Sequence, residues 1–495
     1  MNIIDKTIAV FSPHRALSRV KARRALDAVN AYEAARIGRN RKTGSSLTDG
    51  RTSAAQASRS LRGQARWLEE NHDLADGVLN ELTKRCLGKK GIQFEPMPLD
   101  KNGDLLVDLQ KQIQAVLKDF YRRPEVSHQF TWSQAQRLMF RSWLRDGEVL
   151  AKDHIGRIRT LNHGTRIPYS IELLEADFLP DENLGYGNVT QGIQTNSWGQ
   201  VTFYHLYDQH PGGGVAMKSS QTRPVPASRI KHVKLVKRIG QLRGISLFDS
   251  TFTRFEDIKD IEEAERVAAR ISAAFAFYIK KGDASAYDED NYSATKQRQI
   301  EIAPGMGIDD LAPGEDFGSL QSNRPNNDVI PFIDSQIRRA SAGTLASFSS
   351  ISRNYNGTYS AQRQELVEAQ EGYEILADEF VNQLVQPVIE TAIRAAVAAN
   401  LLDLPPDLDI DTLTDGEYTM PPMPWISPKD ELNAIDTELS LKLNSRANIQ
   451  RRRGLNPQQV RQAIKREQEL DKQDGIVVVT KNGLPPTPEP PKEEE

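Results

Sequence analysis

The chain has a single cysteine, Cys86, among 495 residues. One thiol excludes an intrachain disulfide framework and any cluster of thiolate metal ligands. Long apolar runs are missing as well. No stretch approaches the roughly 18–20 residues that cross a bilayer, so no membrane partner is expected. Residues 1–11 hold one lysine and no small-residue cleavage site, so synthesis in the cytoplasm without a signal peptide is expected. The eight histidines form no i, i+4 pair of the kind that holds zinc on a helix. No G-x-x-x-x-G-K-[ST], H-E-x-x-H, C-x-x-C or G-x-S-x-G occurs, and Leu87-Gly-Lys-Lys-Gly91 is too short and wrongly ordered for a phosphate loop. These absences make an enzyme the poorer hypothesis, and no cofactor is expected.

What is present is a polar chain, 38% hydrophobic and 26% charged, too long for one compact core. Its net charge of −3 hides an asymmetry. Nine basic residues fall between His14 and Lys42 against Asp27 and Glu33. This arm reads equally as a polyanion or acidic-partner contact and as a solvated helix. At the other end, Pro485–Glu495 is a Pro/Glu tail that buries too little surface to fold.

Helical periodicity covers 13–37, 54–86, 105–121 and 132–146, with strands at 92–95 and 148–154. Between 158 and 236 the texture turns to β, with alternating runs at 169–174, 192–195, 201–207 and 230–236. A helical pattern then runs over 245–281; unbroken, it would be about 55 Å long. Its length suits assembly, and an ordinary core helix is the plain alternative. A Gly/Pro-punctuated insert over 282–327 has a possible strand at 299–302. Helices follow at 332–345 and 360–402, an irregular connection at 405–424, short helices at 428–444 and 457–471, and a possible strand at 476–479.

Between the helices at 332–345 and 360–402 lies the most distinctive segment, Ser352-Arg-Asn-Tyr-Asn-Gly-Thr-Tyr-Ser-Ala-Gln-Arg363. A polar, aromatic loop at a helix–loop–helix tip can be catalytic, can touch nucleic acid, or can be a decorated turn. Elsewhere, Asp146/Glu148 and Glu175/Asp177 are the carboxylates that could hold Mg²⁺ in a nuclease. A helix-to-strand turn at Gly147 is the plainer reading. Arg145, Arg243 and Arg353 are candidate phosphate contacts, and Cys86 reads as a small core residue.

The order of parts resembles the lambda-type portal proteins of tailed bacteriophages. The resemblance rests on Ala65-Arg-Trp-Leu, Asn71-His-Asp-Leu-Ala-Asp-Gly-Val78, Arg145-Asp-Gly-Glu148, Glu172-Leu-Leu-Glu-Ala-Asp177 and Gly240-Gln-Leu-Arg-Gly-Ile-Ser246. It continues through Leu311-Ala-Pro-Gly-Glu315, the Ser352–Arg363 segment, Trp425-Ile-Ser-Pro428 and Arg453-Gly-Leu-Asn-Pro457. Each motif is weak alone; their order over residues 60–470 is strong.

The resemblance implies an α+β, predominantly helical portal fold that assembles as a ring, typically of twelve copies. It implies a basic arm and linker over 1–59, a wing over 60–244, a first stem helix over 245–281 and a clip over 282–328. A second stem helix over 329–346, a tunnel loop over 347–360, a tunnel helix and connection over 361–427, a crown over 428–475 and a disordered tail over 476–495 follow. The DNA-channel residues it implies are Ser352, Arg353, Asn354, Tyr355, Asn356, Gly357, Thr358 and Tyr359, with Glu256, Asp257, Asp260, Glu263, Arg338 and Arg339 on the stem wall. Implied partners are double-stranded DNA, a terminase motor, a head–tail adaptor, and the major capsid and scaffolding proteins. The site of action would be a capsid vertex of the virion, after assembly in the host cytoplasm. The polar Ser347-Phe-Ser-Ser-Ile351 and the basic arm depart from the family pattern. A Mg²⁺-dependent DNA-processing enzyme and a head-completion or scaffold protein without a channel are the alternatives.

Overall fold

Helices dominate the computed structural model, which describes residues 49–181, 188–212, 222–274, 278–281, 315–318, 329–423 and 427–476. The chain divides into two units, Met1–Ser53 and Ala54–Glu495. Only 49–53 of the first unit is described, so the basic arm at 13–37 lies outside the described residues, as do the possible strand at 299–302 and all but Ile476 of 476–479. No helix among the described residues is long and apolar enough to cross a membrane.

The helical pattern at 54–86 is two helices, α1 (Gly50–Asn71) and α2 (Asp73–Cys86), broken at His72, whose backbone is extended. Strand β1 (Gln93–Pro96) and helix α3 (Val107–Phe120) follow. Helix α4 (Trp132–Asp146) starts at a capping box of Thr131 and Gln134 and ends at Gly147, whose φ is 86°. A Cβ there would sit 2.3 Å from the Ile245 carbonyl carbon, so the turn demands glycine on two counts.

Beyond it, β2 (Glu148–Ile155) is the central strand of an antiparallel sheet between β3 (Tyr169–Glu175) and β8 (Ile230–Lys234). A second antiparallel sheet runs in order through β4 (Val189–Thr190), β5 (Ile193–Thr195), β6 (Val201–Tyr207) and β7 (Thr222–Pro226).

The single helix expected over 245–281 is three elements. A short 3₁₀ turn, Leu247–Ser250, comes first, its start capped by the Ser246 side chain. Helix α5 (Phe252–Ala274) follows; its 23 residues give about 35 Å rather than 55. The end, Tyr278–Lys281, is strand β9, paired antiparallel with β10 (Glu315–Gly318). A partner strand more than thirty residues downstream claims these backbone groups, and periodicity in a local window does not register it.

Helix α6 (Val329–Thr344) precedes a short helix, α7 (Phe348–Ser352), and the long α8 (Tyr359–Phe380). A π-helical turn over Val381–Val385 joins α8 to α9 (Gln386–Ala398). It turns Val381, Leu384 and Val385 inward, so the apolar face passes unbroken from Phe380 to Val388. The core gathers here: Phe380 meets Phe140 edge-on at 5.1 Å and Trp143 at 5.8 Å, while Phe120 stacks on Tyr169 at 5.5 Å.

The connection at 405–424 is not wholly irregular. Strand β11 (Gly416–Thr419) pairs with β1, bringing Tyr418 against Phe94. Three helices, not two, close the described chain: α10 (Pro428–Ser440), α11 (Arg446–Arg452) and α12 (Pro457–Asp474), the last stopped by left-handed Gly475.

Candidate functional site

The Ser352–Arg363 segment contains a non-helical loop of residues 353–358, because α7 ends at Ser352 and α8 begins at Tyr359. Its entry is fixed by α8. Glu365, two turns into that helix, accepts the Ser347 hydroxyl at 2.6 Å and the Ser349 backbone N–H and hydroxyl at 2.9 and 2.6 Å. The Ser347 N–H donates to the Tyr373 hydroxyl at 3.2 Å. Burial pushes the Glu365 carboxyl pKa up, but the serine donors and the nearby Arg338 outweigh it and hold the group below its usual range. The polar Ser347–Ile351 stretch is therefore a capped helix tied to its successor.

The loop's exit is equally specific. Thr358 caps α8 by accepting the Ala361 N–H, and the Gln362 amide donates to the Tyr355 carbonyl. Asn354 donates to Asp334 of α6 at 3.3 Å. The left-handed residue is Arg353, with φ of 56°, and not Gly357. A non-glycine residue there costs roughly 1–2 kcal/mol. Arg353, Tyr355, Asn356, Gly357, Thr358 and Tyr359 are exposed, with Ser352 and Asn354 half-buried. Tyr355 is 56% and Tyr359 53% accessible, which is unusual for residues that elsewhere fill cores. A cleft of about 580 Å³ beside the loop is lined by Arg338, Leu345, Phe348, Gln362 and Glu365.

On α5, Glu256, Asp257, Asp260 and Glu263 are all exposed, while Phe255 and Ile258 are buried. Arg338 and Arg339 are exposed on α6, whose Ile337 and Ala340 point inward. Arg338 lies over the Phe348 ring at 4.7 Å, so it braces the short helix that enters the loop. At its base α5 is held by α1 and the break that follows it: Lys259 sits 4.8 Å over the Trp67 ring, and the His72 ring N–H donates to the Phe255 carbonyl at 2.9 Å.

The carboxylates that could have served a nuclease are instead paired with arginines. Asp146 is held by Arg66 and Arg145, each at 2.7 Å. Glu148, fully buried, accepts from Arg243 at 2.6 Å, His232 at 3.0 Å and the Gly244 N–H at 2.8 Å. Burial alone would raise its pKa; Arg243, His232 and Arg62 drive it far below the carboxylate range. Asp177 pairs with Arg62 and Arg66, and Asp181 with Arg62. Among the described residues Glu175, Asp177 and His210 lie close enough for one ion, but Arg66 already reaches both carboxylates. Of the candidate phosphate contacts, Arg243 is 1% exposed and held by Glu148, and Arg145 is engaged by Glu69 and Asp146. Cys86 is buried, its thiol directed at the Tyr373 carbonyl.

The residues that sequence reasoning passed over are the loop's supports, Asp334, Glu365 and Tyr373. Tyr373 registers only as one apolar position in a helical stripe, and nothing local singles out Glu365. The one available signal was the serine-rich stretch at 347–352, a run of potential caps.

The family described as phage portal protein, lambda family, matches residues 36–376. The probable portal protein of Halomonas phage phiHAP-1 is 24% identical over 432 residues, covering 84% of this chain and 81% of that protein. Among solved structures, the neck of a native GTA particle computed with C12 symmetry aligns at TM-score 0.41 and 10% identity, over 81% of this chain and 94% of that one. The neck of an empty GTA particle computed with C6 symmetry aligns at 0.38 and 11% over the same shares. With the family match spanning well over half of its length, the chain belongs to the lambda family of phage portal proteins.

Proposed function

We propose that this chain is the subunit of a ring-shaped DNA channel at one capsid vertex of a phage virion, serving genome packaging, head–tail connection and genome ejection. The observation that carries the reading, beside family membership, is an exposed Arg/Tyr loop tied down at both ends between two helices. The ring, typically of twelve copies, would repeat that loop around the duplex. A terminase motor would supply ATP hydrolysis, so the chain needs no catalytic residue of its own. A head–tail adaptor and the major capsid and scaffolding proteins are its other expected partners.

The chemistry suits passage rather than capture. Each neutralised phosphate adds to affinity, so a wall rich in Lys/Arg would stall the duplex. From Glu256 to Glu265, α5 carries six acids against Lys259. Such a face repels phosphate, which leaves Arg353 and the hydroxyls of Tyr355 and Tyr359 for brief, sequence-blind contacts. Backbone dihedrals and caps hold the loop, so it meets DNA without first being ordered.

Negative-stain images of the purified protein test the reading. Rings with a hole wide enough for a duplex are expected, and monomers or compact dimers at every concentration sink it. Deleting residues 353–358 is expected to leave rings intact and impair DNA packaging or retention.

A further inference from the structure

Past Ser427 none of the three helices α10, α11 and α12 has a buried residue. Leu432, Leu441, Leu443, Ile464 and Leu470 are all exposed, Leu443 by 75%. On α10, Leu432, Ile435 and Leu439 recur at three- and four-residue spacing, which makes a narrow apolar stripe. Helices this short draw most of their stability from packing such a stripe, and here the chain covers it only in part: Leu432 is exposed, Ile435 and Leu439 half-buried. The charge is divided as well. Helix α10 holds Asp430, Glu431, Asp436 and Glu438 against Lys429. Arg446–Arg466 holds six arginines and Lys465 with no acid, whereas the rest of α12 turns acidic, with Glu467, Glu469, Asp471 and Asp474 beside Lys472. The basic part is anchored inward: Arg451 pairs with Glu95 at 2.8 Å, and Gln458 donates to Gln110.

We propose that the acidic α10 of one copy packs on the basic stretch Arg446–Arg466, α11 and the first part of α12, of the next copy, their apolar residues closing between them. This rests on the ring reading above. Two unlike surfaces that complement each other make a head-to-tail contact, the kind that closes into a ring. Opposite charge fixes register and partner, and apolar area supplies the driving force. DNA fits this surface less well, because leucines and isoleucines interrupt the basic residues and the neighbouring α10 repels phosphate.

The test mixes two full-length variants. One carries Asp436→Lys and Glu438→Lys; the other carries Arg461→Glu, Lys465→Glu and Arg466→Glu. Each alone is expected to raise the concentration at half-assembly about tenfold or more, read by mass photometry, because like charges then face each other. An equimolar mixture is expected to restore rings, since each variant's altered face meets the other's. Leu432→Gln, which leaves the charges alone, is expected to weaken assembly too. Normal rings from each charge variant or from Leu432→Gln would overturn the proposal while leaving the channel reading intact. It also falls if rescue occurs only with all five changes in one chain, which would mean an intrachain contact. Intact rings with lost DNA retention would assign the surface to nucleic acid instead. A wild-type chain that forms no rings would overturn the channel reading itself.

Discussion

The Glu365 carboxylate accepts the Ser347 hydroxyl at 2.6 Å, so the helix leaving the exposed loop holds the segment that enters it. Removing that carboxylate frees three donors at once. Glu365→Ala is expected to destabilise the protein by about 1–3 kcal/mol, measured by urea denaturation. It is also expected to make residues 353–358 the first site of limited proteolysis. Unchanged cleavage would show that the caps alone suffice.

The same carboxyl sets a pH dependence. Its folded pKa lies below its unfolded value, so its contribution is complete above the unfolded pKa and is lost as pH falls through the folded one. Loop protection against protease should therefore weaken in acid in the wild type, and less so in Glu365→Gln. Parallel acid profiles for the two proteins would refute the assignment.

Glu148→Gln is expected to cost about 3–5 kcal/mol, because the buried Arg243 loses its hydrogen-bonded carboxylate and keeps only Asp181 at 3.8 Å. Denaturant midpoints measure this directly. Mg²⁺-dependent nicking of plasmid by the wild type that disappears in Glu148→Gln would instead revive a nuclease.

Arg353→Gly separates conformation from charge. Glycine relieves the left-handed backbone but adds unfolded-state freedom, so stability should change by no more than about 1 kcal/mol. DNA retention in assembled particles should nevertheless fall, as it should in Tyr355→Ala and Tyr359→Ala. Full retention in all three would remove the loop from contact with DNA.

Gly147→Ala combines a positive φ with a collision against Ile245, and a loss above about 4 kcal/mol or failure to fold is expected. Expression yield and thermal melting check it.

Elements that carry their own punctuation were legible in the sequence. The end of helix α4 is legible from Gly147, and the structure adds the capping box of Thr131 and Gln134 at its start. Asp146-Gly-Glu148 forms the helix-to-strand turn that Gly147 suggests, though nothing local points to Arg243, 95 positions away, as the counter-ion of Glu148. Pairing between distant segments escaped for the same reason. Strand β11 exists because β1, more than three hundred residues earlier, offers an edge, and β9 because β10 does. The loop was found from its composition, whereas its support by Glu365 and Tyr373 exists only once α8 folds back beside α7. The segment's one glycine is Gly357, yet the left-handed backbone sits at Arg353, whose conformation follows from how α7 ends.

From Tyr359 through the π turn to Ala398 the backbone runs as a nearly continuous helical rod of about 60 Å. One end carries an exposed tyrosine and the latch on the loop; midway along, Phe380 is wedged against Phe140 and Trp143. A load applied at the tip therefore travels along a stiff member into the best-packed part of the molecule, with little slack to absorb it. The loop and the core beneath it must yield together or hold together.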